Sequence, residues 1–275
     1  MKKRYSFFAK WRKRDAEFLN NLNLVKKVKE GYDGFWVEEG EVYEKIMKKF
    51  TSKSFFSSNS KPPEFKVKMS SVVFSKEELD SANYYMLCGI RSAKQYPKPE
   101  NDYKSQVFNF EECDYVRINK KQKAPFRIDK PKWKQNQVAF SLELEWDFMF
   151  FKKEFFQEVL KPIGLKYKEV LNHSTGEPLE DTVQLDIPLA ESKILIENSA
   201  YDIYEPRCGI KQYARQYLDF FPPFEKEFNF HICHTQEEFD GGFKRSIISK
   251  EFCQLLLTHK LIKYNSDYLI PMKIK

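Results

Sequence analysis

The chain is poor in the residues from which familiar catalytic loops are built. It has nine glycines in 275 residues, and none of them forms a G-x-G-x-x-G or P-loop pattern. A fold organised around a glycine-cradled phosphate is thereby disfavoured. Four histidines are present, without H-E-x-x-H, and no G-x-S-x-G occurs, so the linear signatures of zinc proteases and serine hydrolases are missing. Five cysteines without one C-x-x-C pair argue against both a disulfide framework and the paired ligands of structural zinc. No apolar run reaches the length of a bilayer span. In the opening MKKRYSFFAKWRKR, Phe7-Phe8-Ala9 is too short for the apolar stretch of a secretory signal, and bases resume at once. The expectation is a cytoplasmic protein with an exposed basic end, no membrane partner and no cofactor.

What is abundant is aromatic. Twenty-six Phe and 15 Tyr imply an aromatic core, and 41% hydrophobic with 32% charged residues is ordinary for a soluble globular chain. Charge is unevenly placed. Met1–Arg14 holds seven bases and no acid, and Tyr115–Gln137 holds eight bases against Asp129. Each segment is +7, the whole chain is also +7, and the remainder therefore nets −7. A mildly acidic body carries two basic features.

Three motifs occur twice, in the same order. Cys88-Gly89-Ile90-Arg91 matches Cys208-Gly209-Ile210-Lys211, and Phe108-Asn109-Phe110 with Cys113 matches Phe228-Asn229-Phe230 with Cys233, both at an offset of 120. Lys153-Glu154-Phe155-x-Gln157 matches Lys250-Glu251-Phe252-x-Gln254 at an offset of 97. The expected fold is α+β: a tandem duplication of a small strand-rich unit with one KEF helix per copy, preceded by a helical N-terminal segment. The boundaries are 1–63 for the helical segment and its Ser- and Pro-rich linker, 64–171 for the first repeat and 172–275 for the second. The shortened second offset places about 23 extra residues in the first copy, assigned to a basic insertion at 115–137. Residues 10–30 show helical spacing, with Trp11, Phe18, Leu22 and Val25. Phe140–Phe150 alternates, so one strand is expected, with Phe140, Leu142, Leu144, Trp146, Phe148 and Phe150 on its apolar face and Ser141, Glu143, Glu145, Asp147 and Met149 on its mostly wet face. Cys253 aligns with Phe156 and is expected in the core.

Two places could carry chemistry. His231, Cys233 and His234, with Cys208, offer weak candidate zinc ligands, and no metal is favoured. The basic insertion mixes bases with aromatics, as a phosphate-binding or acidic-protein-binding surface would. Its candidate contacts are Arg117, Lys120, Lys121, Lys123, Phe126, Arg127, Lys132, Trp133 and Lys134.

The Cys-Gly-Ile-Arg/Lys motif after a tyrosine-rich stretch, once per half, resembles the double-CxxCG-motif immunity proteins of bacterial toxin systems. The ending Ile247-Ile248-Ser249-Lys250-Glu251-Phe252, followed by Leu256 and a terminal strand, is similar to the close of related myxobacterial-type immunity families. Tyr85 and Glu205 stand where that motif has its first cysteine, so its zinc role does not carry over to this chain. The resemblance implies a non-catalytic cytoplasmic protein that neutralises a cognate toxin by direct contact. The alternatives are a nucleic-acid-binding protein using 115–137 and the basic N-terminus, and an uncharacterised metalloprotein or enzyme.

Overall fold

A computed structural model of the chain describes residues 1–51, 65–90, 95–113, 116–196, 202–205, 209, 211–214 and 219–274. The chain divides into two compact units, residues 1–79 with 216–219, and residues 80–215 with 220–275.

The first unit runs β1 (Lys2–Trp11), α1 (Lys13–Asn20), β2 (Gly31–Glu38), α2 (Glu41–Thr51), β3 (Phe65–Val73) and the start of α3 (Lys76–Ser81). Its antiparallel sheet has the order β2-β1-β3. The basic opening segment is therefore the central strand of a sheet rather than an exposed tip. The reason is its alternation: Phe7, Ala9 and Trp11 face inward with Phe35 and Val37, and pack on Ala16 and Leu19 of α1 and Ile46 and Phe50 of α2. The helical spacing over 10–30 yields only the eight residues of α1. After it, the Asn20 amide donates to Val28 O and accepts from Val28 N, pinning the loop that returns to β2. Phe65–Phe74, expected to open the first repeat, supplies β3 to this unit instead. The linker assigned to 51–63 lies outside the described residues beyond Thr51.

The second unit begins with β4 (Tyr84–Leu87), α4 (Tyr103–Val107), β5 (Phe108–Cys113), β6 (Val116–Gln122), β7 (Arg127–Ile128), β8 (Ala139–Leu142) and β9 (Glu145–Lys152). Then come α5 (Lys153–Phe155), extended by a π turn over Phe156–Leu160 and a 3-10 turn over Lys161–Ile163, β10 (Lys166–Asn172) and β11 (Pro178–Asp186). Gly164, at φ 85°, closes the helix. The remainder is β12 (Asp202–Tyr204), β13 (Gln212–Ala214), β14 (Ile232–His234), β15 (Glu238–Phe239), β16 (Ser246–Ser249), α6 (Lys250–Thr258) and β17 (Leu269–Pro271). Ser249 caps α6 by accepting from Phe252 N at 3.2 Å.

Two larger sheets have the orders β7-β10-β11-β9-β8 and β14-β16-β4-β17. They share a plan. In each, a strand leads into a KEF helix and the chain returns two positions away, parallel to where it left. In the first sheet β11 fills the gap, antiparallel to both β9 and β10. In the second, β4 fills it, antiparallel to both β16 and β17. Phe155, Phe156, Leu160, Phe252, Cys253 and Leu256 are all buried, and Leu257 is half-buried.

The two Phe-Asn-Phe motifs do not fall on matching elements. Phe108–Phe110 lie in β5, which pairs with β6, whereas Phe228–Phe230 are outside any strand. Cys88 follows β4, and Cys208 lies outside the described residues. Residues 115–137 do not form a surface insertion. They contribute β6 and β7, and Phe126 and Ile128 are fully buried in one aromatic cluster with Phe108, Phe140 and Phe150.

Phe140–Phe150 is a hairpin rather than one strand. The chain turns at Glu143-Leu144, with Leu144 at φ 69°. The register of β8 on β9 then jumps from Ser141↔Met149 to Leu142↔Glu145. Trp146, Asp147 and Phe148 thus sit in a bulge, and bulges re-aim side chains. The wet face is inverted: Glu145 and Asp147 are 1% and 9% exposed, Leu144 and Trp146 49% and 56%.

Candidate functional site

The inverted hairpin positions the most unusual charges in the chain. Lys120 Nζ lies 2.7 Å from Glu145 Oε2 and 3.4 Å from Asp147 Oδ2. Tyr103 donates its hydroxyl to the other Glu145 oxygen at 2.8 Å. Three rings surround the ammonium, with centroids at 4.9 Å for Phe108, 5.2 Å for Phe148 and 4.9 Å for Phe243. Burial alone would pull the Lys120 pKa down, but Asp147 and Glu145 outweigh it and hold it above the ordinary lysine value. Glu145 is pushed up by burial, against the pull of Lys120. A caged, charged ammonium of this kind is a structural cation rather than a nucleophile.

A pocket of about 220 Å³ opens beside this cluster. Lys120 lines it from β6, Asp147 and Phe148 from β9, Gln184 from β11, His234 from β14, and Lys244 from the segment before β16. Gln122 and Gln184 exchange amide hydrogen bonds at 2.9 and 2.7 Å. Lys244 donates to Gln236 O at 3.0 Å and stands 4.0 Å from Glu238. Its pKa is lowered, by burial first, with Glu238 opposing.

Three of the four candidate zinc ligands lie among the described residues. Among the described residues, no three His, Cys, Asp or Glu side chains group to hold a metal ion. Cys208 is outside the described residues. His231 is half-buried, and Cys233 and His234 are buried on β14. Burial pushes the Cys233 thiol well up and the Cys253 thiol up to about 12, so neither is a thiolate near neutrality. His234 Nδ1 lies 3.4 Å from Ser246 Oγ, and burial lowers its pKa from 6.5 to about 4.

His234 therefore carries a pH dependence. With the folded pKa below the unfolded value, the unfolded chain binds more protons as pH falls from about 6.5 to about 4. Stability is lost across that window and levels off below it. His234→Phe should flatten this part of the stability profile in urea melts, and an unchanged slope would mean that His234 is not held neutral.

The basic candidates divide. Lys120 is consumed by the buried cluster and Phe126 by the core, so neither can serve as a surface contact. Trp133, expected as an exposed anchor, packs on Phe140 at 5.1 Å with Lys152 over it at 5.8 Å. Its role in the fold is evident. Lys121, Lys123, Arg127, Lys132 and Lys134 are exposed, and the Arg117 side chain lies outside the described residues. Sequence reasoning missed Glu145, Asp147, Trp146 and Tyr103. The turn that reorients the hairpin residues has no Gly, Asn or Pro to announce it.

No protein-family model, curated protein or solved structure matches the chain.

Proposed function

We propose that the chain is a non-catalytic protein that neutralises a cognate bacterial toxin by direct contact, anchored by Trp146 on the β8–β9 hairpin. The supporting observation is the placement of that side chain. Trp146 is 56% exposed, yet it stacks on Phe243 at 6.2 Å with planes 14° apart. Leu144, equally exposed, stands beside it on the turn. A large aromatic held in one orientation loses little entropy on docking, and Trp is the residue most enriched among interface hot spots. The exposed bases of 121–134 would steer an acidic partner toward it. Lys120, Glu145, Cys233 and His234 are by contrast caged or buried, which suits binding rather than turnover. That the partner is a toxin rests on the resemblance of the Cys-Gly-Ile motifs. A duplicated ancestry belongs to the same proposal: each of the two helix-crossed sheets would take its middle strand from the other half.

The test is calorimetric titration with the toxin domain encoded beside this chain. Nanomolar binding is expected, weakened about 30-fold or more by Trp146→Ala, equivalent to about 2 kcal/mol. Paired Lys132→Ala and Lys134→Ala should slow association and reduce its salt dependence. Absence of binding by the unaltered chain would refute the function. Full affinity in Trp146→Ala would refute the surface.

A further inference from the structure

The outer face of the first unit's sheet has the chemistry of a single-stranded nucleic-acid platform. One face of the sheet is covered by α1 and α2, as the buried cluster requires. The other presents Phe8 from β1 and Tyr32 from β2, 52% and 75% exposed. Their rings stack at 6.2 Å with planes 19° apart. Phe8 lies opposite Gly34, and a Cβ on Gly34 would come within 3.1 Å of the Phe8 ring. Glycine at this position thus leaves room for the Phe8 ring to pass close over the neighbouring strand. Trp36, two residues further along β2, is covered by the Arg4 guanidinium at 4.1 Å, a plane that can itself stack on a base or bind a phosphate.

Bases frame these rings. Lys66 lies opposite Phe8 and Lys68 opposite Ser6 on the neighbouring strand. Lys10 stands 5.8 Å over the Tyr32 ring. With Lys2 and Arg4 the outward positions of the three strands carry five bases, against Glu38, which approaches Arg4 at 4.0 Å.

We propose that this face binds single-stranded nucleic acid, with Phe8 and Tyr32 stacking on bases and Lys10, Lys66 and Lys68 contacting the phosphates. The charge selects a polyanion. The rings select one whose bases are free: a duplex buries its base faces, and an acidic protein lacks the regular run of flat bases between its charges that a single strand has between its phosphates. Flat rings beside long cations fit a sequence-tolerant ligand better than a specific side chain. This proposal does not rest on the toxin contact proposed for Trp146.

The experiment is fluorescence anisotropy of the full chain with labelled single-stranded RNA and DNA oligonucleotides of about 12 nucleotides. Binding is expected at about 50 mM salt, weakening as salt rises with a log–log slope of about −0.7 per phosphate contacted. Tyr32→Ala should weaken it about tenfold or more without lowering the melting temperature, because Tyr32 is the most exposed of the rings. Lys66→Glu with Lys68→Glu should reduce the salt slope. No binding at low salt overturns the proposal. So does equal affinity in Tyr32→Ala, or equal affinity for a duplex or for polyglutamate, since each would mean that charge alone, or an acidic protein, is what the face recognises.

Discussion

Lys120→Met should cost the fold about 3–5 kcal/mol, the usual penalty for removing one partner from a buried ion cluster. The substitution keeps the side chain's length and leaves Glu145 and Asp147 without their cation in a site 2% and 7% exposed at the side chains. The loss should depend on pH in a defined direction. Glu145 already has a raised pKa, from burial first and from Asp147 second among the raising influences. Without Lys120 it rises further, so the folded variant binds more protons than the unfolded chain. Its stability then increases as pH falls and decreases as pH rises. Urea melts at about pH 5 and about pH 8 should show the deficit relative to the unaltered protein shrinking on the acid side. Adding Glu145→Gln should recover much of the loss, since the amide needs no counter-ion and can still accept from Tyr103. A deficit that is absent, or that grows on acidification, would show that the three charges are not a coupled cluster.

Phe126→Ala should destabilise by a similar amount, about 3–5 kcal/mol. Phe126 is 0% exposed and sits at the meeting point of three rings, with centroids at 5.5 Å for Phe108, 5.1 Å for Phe148 and 5.6 Å for Phe150. No single neighbour can move into the space it leaves, so most of the cavity term persists. The comparison with Lys132→Ala is informative. An exposed base in the same segment should leave the melting midpoint within about 0.5 kcal/mol of its original value. If Phe126→Ala left stability unchanged, the 115–137 segment would be a surface feature after all.

That contrast marks how far the sequence could be read. Periodicity found the buried positions Phe155, Phe156, Leu160, Phe252, Cys253 and Leu256 and much of the aromatic core, because those depend only on local alternation and spacing; it did not find β1. It failed where two segments distant in the chain decide the outcome. Lys120 reads as one more base in a solvated run until Glu145 and Asp147 are brought to it from the hairpin. Glu145 and Asp147 read as a wet face until the turn at Leu144 and the bulge beyond it rotate the strand. Trp133 reads as an anchor without a purpose until Phe140 is placed under it. The paired motifs were visible as letters, but Phe108–Phe110 became a strand and Phe228–Phe230 did not. A match in sequence sets local preference, and pairing partners set the element. The pocket beside Lys120 draws on five strands and two connecting segments, and no linear pattern could have gathered them.

The position of β4 has a consequence for how the protein is made. Tyr84–Leu87 is completed only by Ser246–Ser249 on one side and Leu269–Pro271 on the other. Both partners are synthesised about 160 or more residues later, which at about 5–20 residues per second is roughly 8–30 s of translation. Throughout that interval Tyr85, Met86 and Leu87, all buried in the finished sheet, are an apolar strand with two open edges on a nascent chain. The four-stranded sheet of the second unit therefore cannot be assembled until its last strands are made. The unit's yield in the cell should be governed by what shelters that one strand during the wait.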